Sequence, residues 1–374
     1  MLPSNHSILG ASAAARWINC PPSAKLTESI KDKASVFAEE GTAAHELCEW
    51  KLKRALKLRA GKRPTSDYWT DEMEEFTDDY RDFCLDLVEV ARKEEEPICL
   101  IEQRLDFSNY VPGGFGTGDF LMVSGKEIHV VDFKYGRGVL VKADFNPQIM
   151  LYGIGAYNLF GCLYDIEKVT LTVFQPRLHN VSTFSLAIED LLNWAEQDVK
   201  PRANLAAKGE GEFVPGEWCR FCKVKENCRA RAEQFLKLAQ MEFKPAPLLT
   251  DAEVAKVLGQ ATELSKWASD VMAFAQAKAV EGRHFGGWKL VEGRSVRKFT
   301  NEDEVIKASM DAGYNDIYEK KLITLTAFEK LMGKEEFNNI LGPLVTKTKG
   351  KLTLVPETDK RPEVIVNVEN EFND

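Results

Sequence analysis

Residues 118–134 read GDFLMVSGKEIHVVDFK. Two runs of strand-forming residues, Gly118–Val123 and Glu127–Phe133, flank the turn residues Ser124, Gly125 and Lys126, which is the pattern of a β-hairpin. One strand carries Asp119 and the other ends in Asp132-Phe133-Lys134, so the hairpin brings two carboxylates and an ammonium to one end of a sheet. Side chains alternate along a strand, so Asp132 and Lys134 share a face, while Phe133 turns into the core and leaves its backbone carbonyl toward the site. Two aspartates and a carbonyl suit Mg²⁺ or Mn²⁺, which prefer oxygen ligands and keep several waters; Lys134 is placed to orient or activate a water.

Working outward, Ile98–Leu105 reads as a further strand, and Val169, Leu171 and Val173 alternate like another. Helical spacing is expected over Phe37–Leu56, which carries His45, and over the acid-led segment Asp71–Lys93. Pro147 suits the first turn of a helix to Phe160, on which Gln148 and Tyr152 stand four apart on one face. A helix is also expected over Ala187–Ala207.

With 374 residues the chain exceeds one ordinary core, and two domains are expected, 1–235 and 236–374. Lys244-Pro245-Ala246-Pro247 reads as a linker. Beyond it, Thr250 and Glu253 form a capping-box pattern ahead of a long amphipathic helix. Gly287–Leu290 and Val296–Phe299 suggest a hairpin, short helices are expected between Asn301 and Leu341, and the acidic tail after Glu369 is expected to fray. No apolar run approaches the length of a bilayer crossing and no secretory leader is evident, so a cytoplasmic protein with no membrane partner is expected. There is no phosphate-binding loop of the motor type.

The ordered set His45, Asp119, Asp132-Phe133-Lys134, Gln148 and Tyr152 resembles the PD-(D/E)XK nucleases, specifically their RecB-like branch. The resemblance implies an α/β core with a mixed sheet flanked by helices, followed here by a smaller, mainly helical domain. It implies that His45, Asp119 and Asp132 bind Mg²⁺ or Mn²⁺ with the carbonyl of Phe133. Lys134 then assists hydrolysis, and Gln148 and Tyr152 support the site. Gly118 stands where the family name has proline. Glu102, on the preceding strand, is a further candidate ligand, for a second metal. The activity implied is phosphodiester hydrolysis in DNA, by an exonuclease on analogy, in a phage- or prophage-type protein of replication or recombination with a protein partner from that process. The alternative is a non-catalytic iron-sulfur module on the nuclease fold that binds DNA or another partner.

In a reducing compartment, clustered cysteines read first as metal ligands. Cys219, Cys222 and Cys228 have the spacing Cys-x2-Cys-x5-Cys, and zinc is the general expectation for close thiolates. With Cys20 as a fourth, N-terminal ligand, the set is similar to the 4Fe-4S staple of AddB-type nucleases and CRISPR-associated adaptation nucleases, which leaves a cluster and zinc both open. Cys48, Cys84, Cys99 and Cys162 read as small buried hydrophobes. The net charge of −9 excludes a generally basic coat but not a local groove. Arg137 and Lys142 beside the hairpin, and Arg220, Lys223 and Lys225 beside the cysteines, are the candidates for gripping a phosphate backbone. A weaker basic stretch spans Lys347, Lys349, Lys351, Lys360 and Arg361.

Overall fold

Apolar positions on four of five strands give a sheet both of whose faces are covered. A computed structural model describes residues 7–30, 36–239, 250–290, 302–311 and 331–345. The strands are β1 (Ile98–Asp106), β2 (Phe115–Ser124), β3 (Glu127–Phe133), β4 (Lys168–Gln175) and β5 (Asn180–Ala187), in the order β1-β2-β3-β4-β5. All neighbours are antiparallel except β3 and β4, which run parallel. A parallel pair needs a crossover, and helix α5 (Pro147–Phe160) provides it.

The protein is therefore of the α/β class, with a five-stranded mixed sheet flanked by helices. Leu121, Val123, Ile128, Val130, Val169 and Leu171 pack on one face with α5 and the N-terminal helices α1 (Ala14–Asn19) and α2 (Pro22–Thr27). On the other face Phe120, Met122, Val131 and Phe133 meet α3 (Val36–Ala55) and α4 (Asp71–Ala91). Helix α5 is buried nearly all round, as expected of a helix enclosed by its neighbours. It lies so close to β1 that a Cβ at Gly155 would come within 2.7 Å of Leu105 Cβ and 3.1 Å of the Leu105 carbonyl carbon.

The helix expected over Ala187–Ala207 is interrupted. It runs as α6 (Ile188–Trp194), a π-helical turn (Ala195–Val199) and α7 (Lys200–Lys208). Pro201, with no N–H to donate, stands at the second position of α7, and the wider turn before it accommodates the missing bond. After the cysteine segment come α8 (Arg229–Ala239) and α9 (Asp251–Val280), whose capping box joins Thr250 and Glu253. The expected linker at residues 244–247, the second arm of the hairpin at residues 296–299, the basic stretch from Lys347 and the acidic tail lie outside the described residues. Gly287–Leu290 form no strand.

The chain divides into two compact units, one of Met1–Pro247 with Leu264–Val271 and the other of Leu248–Glu263 with Met272–Asp374. The described residues of the second unit are mainly helical and include α10 (Glu302–Asp311) and α11 (Lys334–Ile340). Among the described residues no helix is long and apolar enough to cross a membrane.

Candidate active site

The pleat of the sheet breaks where the site begins. On β1, Leu100 and Leu105 face the same core although five positions apart, so the alternation skips once between them. The skip falls at Glu102, whose φ of +51° is uncommon for any residue but glycine and costs on the order of 1–3 kcal/mol. On β2 the skip recurs. A Cβ on Gly116 or Gly118 would meet Tyr152 or Leu105, both in the core that Leu121 and Val123 also enter. In the register that pairs Ile101 with Phe120 and Gln103 with Gly118, Glu102 and Asp119 stand opposite each other as the out-of-phase pair.

The same break parts β2 from β3, whose ladder ends at Phe120 and Val131. Phe133 N–H donates instead to Asp119 Oδ2 at 2.7 Å. Asp119 Oδ1 lies 3.2 Å from His45 Nδ1, presented by α3 on the other side of the sheet. The His45 ring sits edge-on to Phe133, with centroids 5.3 Å apart. Donor atoms of His45, Glu102 and Asp119 all lie within 4.8 Å of one another. On the α5 side, Lys134 Nζ is 2.9 Å from Asp132 Oδ2. Gln148 Nε2 donates to Asp132 Oδ1 at 3.3 Å and to the Tyr152 hydroxyl at 3.1 Å. Asp132 is 2 % exposed, and Lys134 Nζ also donates to its Oδ1 at 3.2 Å.

These groups set one another's charge. Burial works against the imidazolium of His45, but the Asp119 carboxylate outweighs it and lifts the pKa to about 8. Burial of Asp119 is in turn outweighed by His45 and Lys134, which hold its carboxyl below the usual range. Glu102 is pushed up to about 7 by burial and by the charge of Asp119. Burial raises Asp132 against the pull of Lys134, and Asp119 adds to the rise. Lys134 stays an ammonium because Asp132 and Asp119 override its burial.

The loop from the hairpin to α5 is tied to the far edge of the sheet. Val141 N–H donates to Gln175 Oε1 at 2.7 Å, Gln175 Nε2 donates to the Val139 carbonyl at 2.9 Å, and Ala143 N–H donates to Ser182 Oγ at 2.9 Å. Asn180 Nδ2 donates to the Val141 carbonyl and to Gln175 Oε1, both at 2.9 Å. Asn146 then caps α5, its side chain accepting the N–H of Gln148 at 3.0 Å. These bonds fix the turn that carries Gln148.

Cys20, Cys219, Cys222 and Cys228 line one cleft that opens to solvent. Among the described residues no three of their sulfurs lie within 4.8 Å of one another. A single tetrahedral zinc would draw four sulfurs to about 3.8 Å apart, from a Zn–S bond of about 2.3 Å. The spacing is thus wider than one zinc requires. Burial raises the thiols of Cys219 and Cys222 above their ordinary values.

Residues 6–362 match the model of a family described as "Protein of unknown function (DUF2800)". The chain belongs to that family. A solved structure titled "Crystal structure of SSO0001" is 12% identical over 58% of this chain and 96% of its own, with a TM-score of 0.22, too low to bear on fold or function.

In this DUF2800 chain the expected site residues from the hairpin and α5 come together with His45, and Glu102 joins them as the third member of the His/Glu/Asp group. Phe133 contributes its ring to the core and its N–H to Asp119. The candidate backbone-gripping residues are partly engaged. Arg137 pairs with Glu72, which also receives Arg177, and Lys225 pairs with Asp270 at 3.3 Å. Arg220 donates to the Gly138 carbonyl at 3.3 Å and Lys223 to that of Ile30 at 2.7 Å. Lys142 is exposed. Gln175 at the end of β4 and Asn180 and Ser182 on the edge strand β5 were not evident as site-supporting residues, since isolated amide and hydroxyl side chains carry no motif.

Proposed function

We propose that this chain is a metal-dependent deoxyribonuclease with a PD-(D/E)XK, RecB-like core. The observation that carries the reading is the meeting of His45, Glu102, Asp119, Asp132, Lys134 and Gln148 at the broken end of one hairpin, with Asp132 buried and its Oδ2 2.9 Å from the Lys134 ammonium. The donors fit Mg²⁺ or Mn²⁺, because carboxylates and one imidazole form a hard oxygen-rich set. His45, Glu102, Asp119 and Asp132 would hold the ion. When bound, it supplies Lewis-acid polarisation of a phosphate oxygen and a water of lowered pKa.

The chain's own residues supply the rest. Lys134, held as an ammonium, donates to a phosphate oxygen and offsets charge in the transition state rather than accepting a proton. Gln148 steadies Asp132 from α5, and Tyr152 holds the amide of Gln148 in place. On the resemblance alone, the residues of the cysteine cleft would hold a 4Fe-4S cluster as a structural staple, with zinc as the alternative. On the resemblance alone, the activity is that of an exonuclease in phage-type replication or recombination.

Anaerobically purified protein is assayed with Mg²⁺ or Mn²⁺ on end-labelled linear and on circular DNA. Lys134→Ala is expected to lower the rate by about 10²–10³-fold, the scale of losing one charge-stabilising donor. Cleavage unchanged in that variant overturns the assignment.

A further inference from the structure

The end of α3 and the connection after it hold seven basic side chains and no acid in thirteen positions, residues 51–63, KLKRALKLRAGKR, in a protein of net charge −9. Three of the seven are occupied within the fold. Lys51 is buried against Glu74 at 3.0 Å and Asp78 at 2.8 Å, Lys53 pairs with Glu49, and Arg63 pairs with Glu74. Arg54, Lys57, Arg59 and Lys62 are exposed and have no carboxylate partner among the described residues.

The segment is braced. Leu58 N–H donates to the Lys53 carbonyl at 2.8 Å and Lys57 N–H to that of Arg54 at 3.1 Å, the paired bonds of a Schellman cap. Lys57 occupies the left-handed position of that cap, φ +57°, where glycine is the usual residue. Trp50 Nε1 donates to the Gly61 carbonyl at 3.2 Å, and the Arg63 guanidinium stands 5.5 Å from the Trp50 ring and 4.8 Å from that of Trp69. The cations without a carboxylate partner therefore stand at a braced helix end and turn, Arg54 in the last turn of α3 with its guanidinium 5.2 Å from the Trp50 ring, and the backbone accepts a lysine where glycine would be less strained.

We infer that Arg54, Lys57, Arg59 and Lys62 form a grip for the phosphate backbone of a nucleic-acid strand, outside the candidate active site. A lipid surface is disfavoured because the apolar stripe of α3, Ala44, Leu47, Cys48 and Leu52, is already buried in the core, leaving no apolar face to insert. The ten-residue rise along α3 from His45 to Ala55 is about 15 Å, the length of roughly four phosphates of one strand. The choice of nucleic acid over another polyanion rests on the nuclease reading.

The test is fluorescence anisotropy with a labelled oligonucleotide, single-stranded and duplex, titrated with the full-length chain in EDTA over a series of salt concentrations. K57E/R59E/K62E is expected to bind at least tenfold more weakly at low salt. Its slope of log affinity against log salt is expected to be shallower by about 2–3, since three phosphate contacts are lost. The neutral variant K57Q/R59Q/K62Q decides the matter in the same direction if the charge-reversed chain does not fold. Affinity and slope equal to wild type overturn the inference, as does wild-type protein that binds phosphatidylserine vesicles but no oligonucleotide. Because EDTA excludes cleavage, binding through these residues by a chain that cuts nothing upholds this grip and removes only the active-site reading.

Discussion

His45 and Glu102 both favour a proton more in the folded chain than in the unfolded one, and the consequence for stability has a definite sign. The imidazolium of His45, with its pKa raised from 6.5 to about 8, contributes stability fully below about pH 6.5 and loses it as pH rises through about 8. Glu102, raised from 4.5 to about 7, contributes through its neutral form, and that contribution fades as pH rises from 4.5 through about 7. Without metal the protein should therefore melt at progressively lower temperature between pH 5 and pH 8.5. A bound divalent ion replaces both protons, so Mn²⁺ should raise the melting temperature more at pH 8 than at pH 6. Scanning calorimetry in EDTA and in Mn²⁺ checks this, with Glu102→Gln expected to flatten the pH dependence of the Mn²⁺ effect. An increment independent of pH would remove His45 and Glu102 from the metal site.

At the scale of elements, Gly155 sets how closely α5 approaches β1. Alanine ordinarily favours a helix over glycine by up to about 1 kcal/mol. Here its Cβ would press on the Leu105 backbone, which cannot swing aside as a side-chain tip can. Gly155→Ala is expected to destabilise by on the order of 1–3 kcal/mol, measured by denaturant unfolding, and to lower activity by displacing Gln148 and Tyr152. A gain in stability would show that α5 has room to move. The strands β1 to β4 and the helices α3 to α5 were legible because each carries a strong period, two or 3.6, with turn residues at its ends. Strand β5 was not, because Asn180–Ala187 alternates around Ser and Thr at an edge and lacks an apolar signature. The π-turn at Ala195–Val199 needed Pro201 to be weighed against a helix otherwise continuous in pattern. For the site, Asp119, Asp132, Lys134, Gln148 and Tyr152 could be read from motif and spacing. The pairing of Glu102 with Asp119 could not, because the pleat break exists only when two strands are aligned.

Across the whole molecule, the cysteine cleft joins chain segments far apart in sequence. Cys20 caps α1, and its partners lie some two hundred positions later, so a cluster there would close a very long loop. Chain-entropy reasoning for a cross-link of that length gives a stabilisation on the order of 5 kcal/mol. Cys20→Ser is accordingly expected to lower the melting temperature by roughly 10 °C and to reduce bound iron, measured by elemental analysis beside the thermal scan. Zinc in place of iron would overturn the cluster, and an unchanged melting temperature would overturn the staple. The effect should reach the candidate site, since Arg220 from the cysteine segment holds the carbonyl of Gly138, four residues beyond Lys134.

The left-handed backbone at Glu102 has a meaning for how such a chain could drift over evolutionary time. Glycine at that position would relieve the strain and leave the sheet the sturdier for it, while taking a carboxylate away from Asp119 and His45. Selection for robustness alone would move position 102 toward glycine. Glutamate stands there instead, and under the proposed metal-site reading β1 gives up some durability for a ligand.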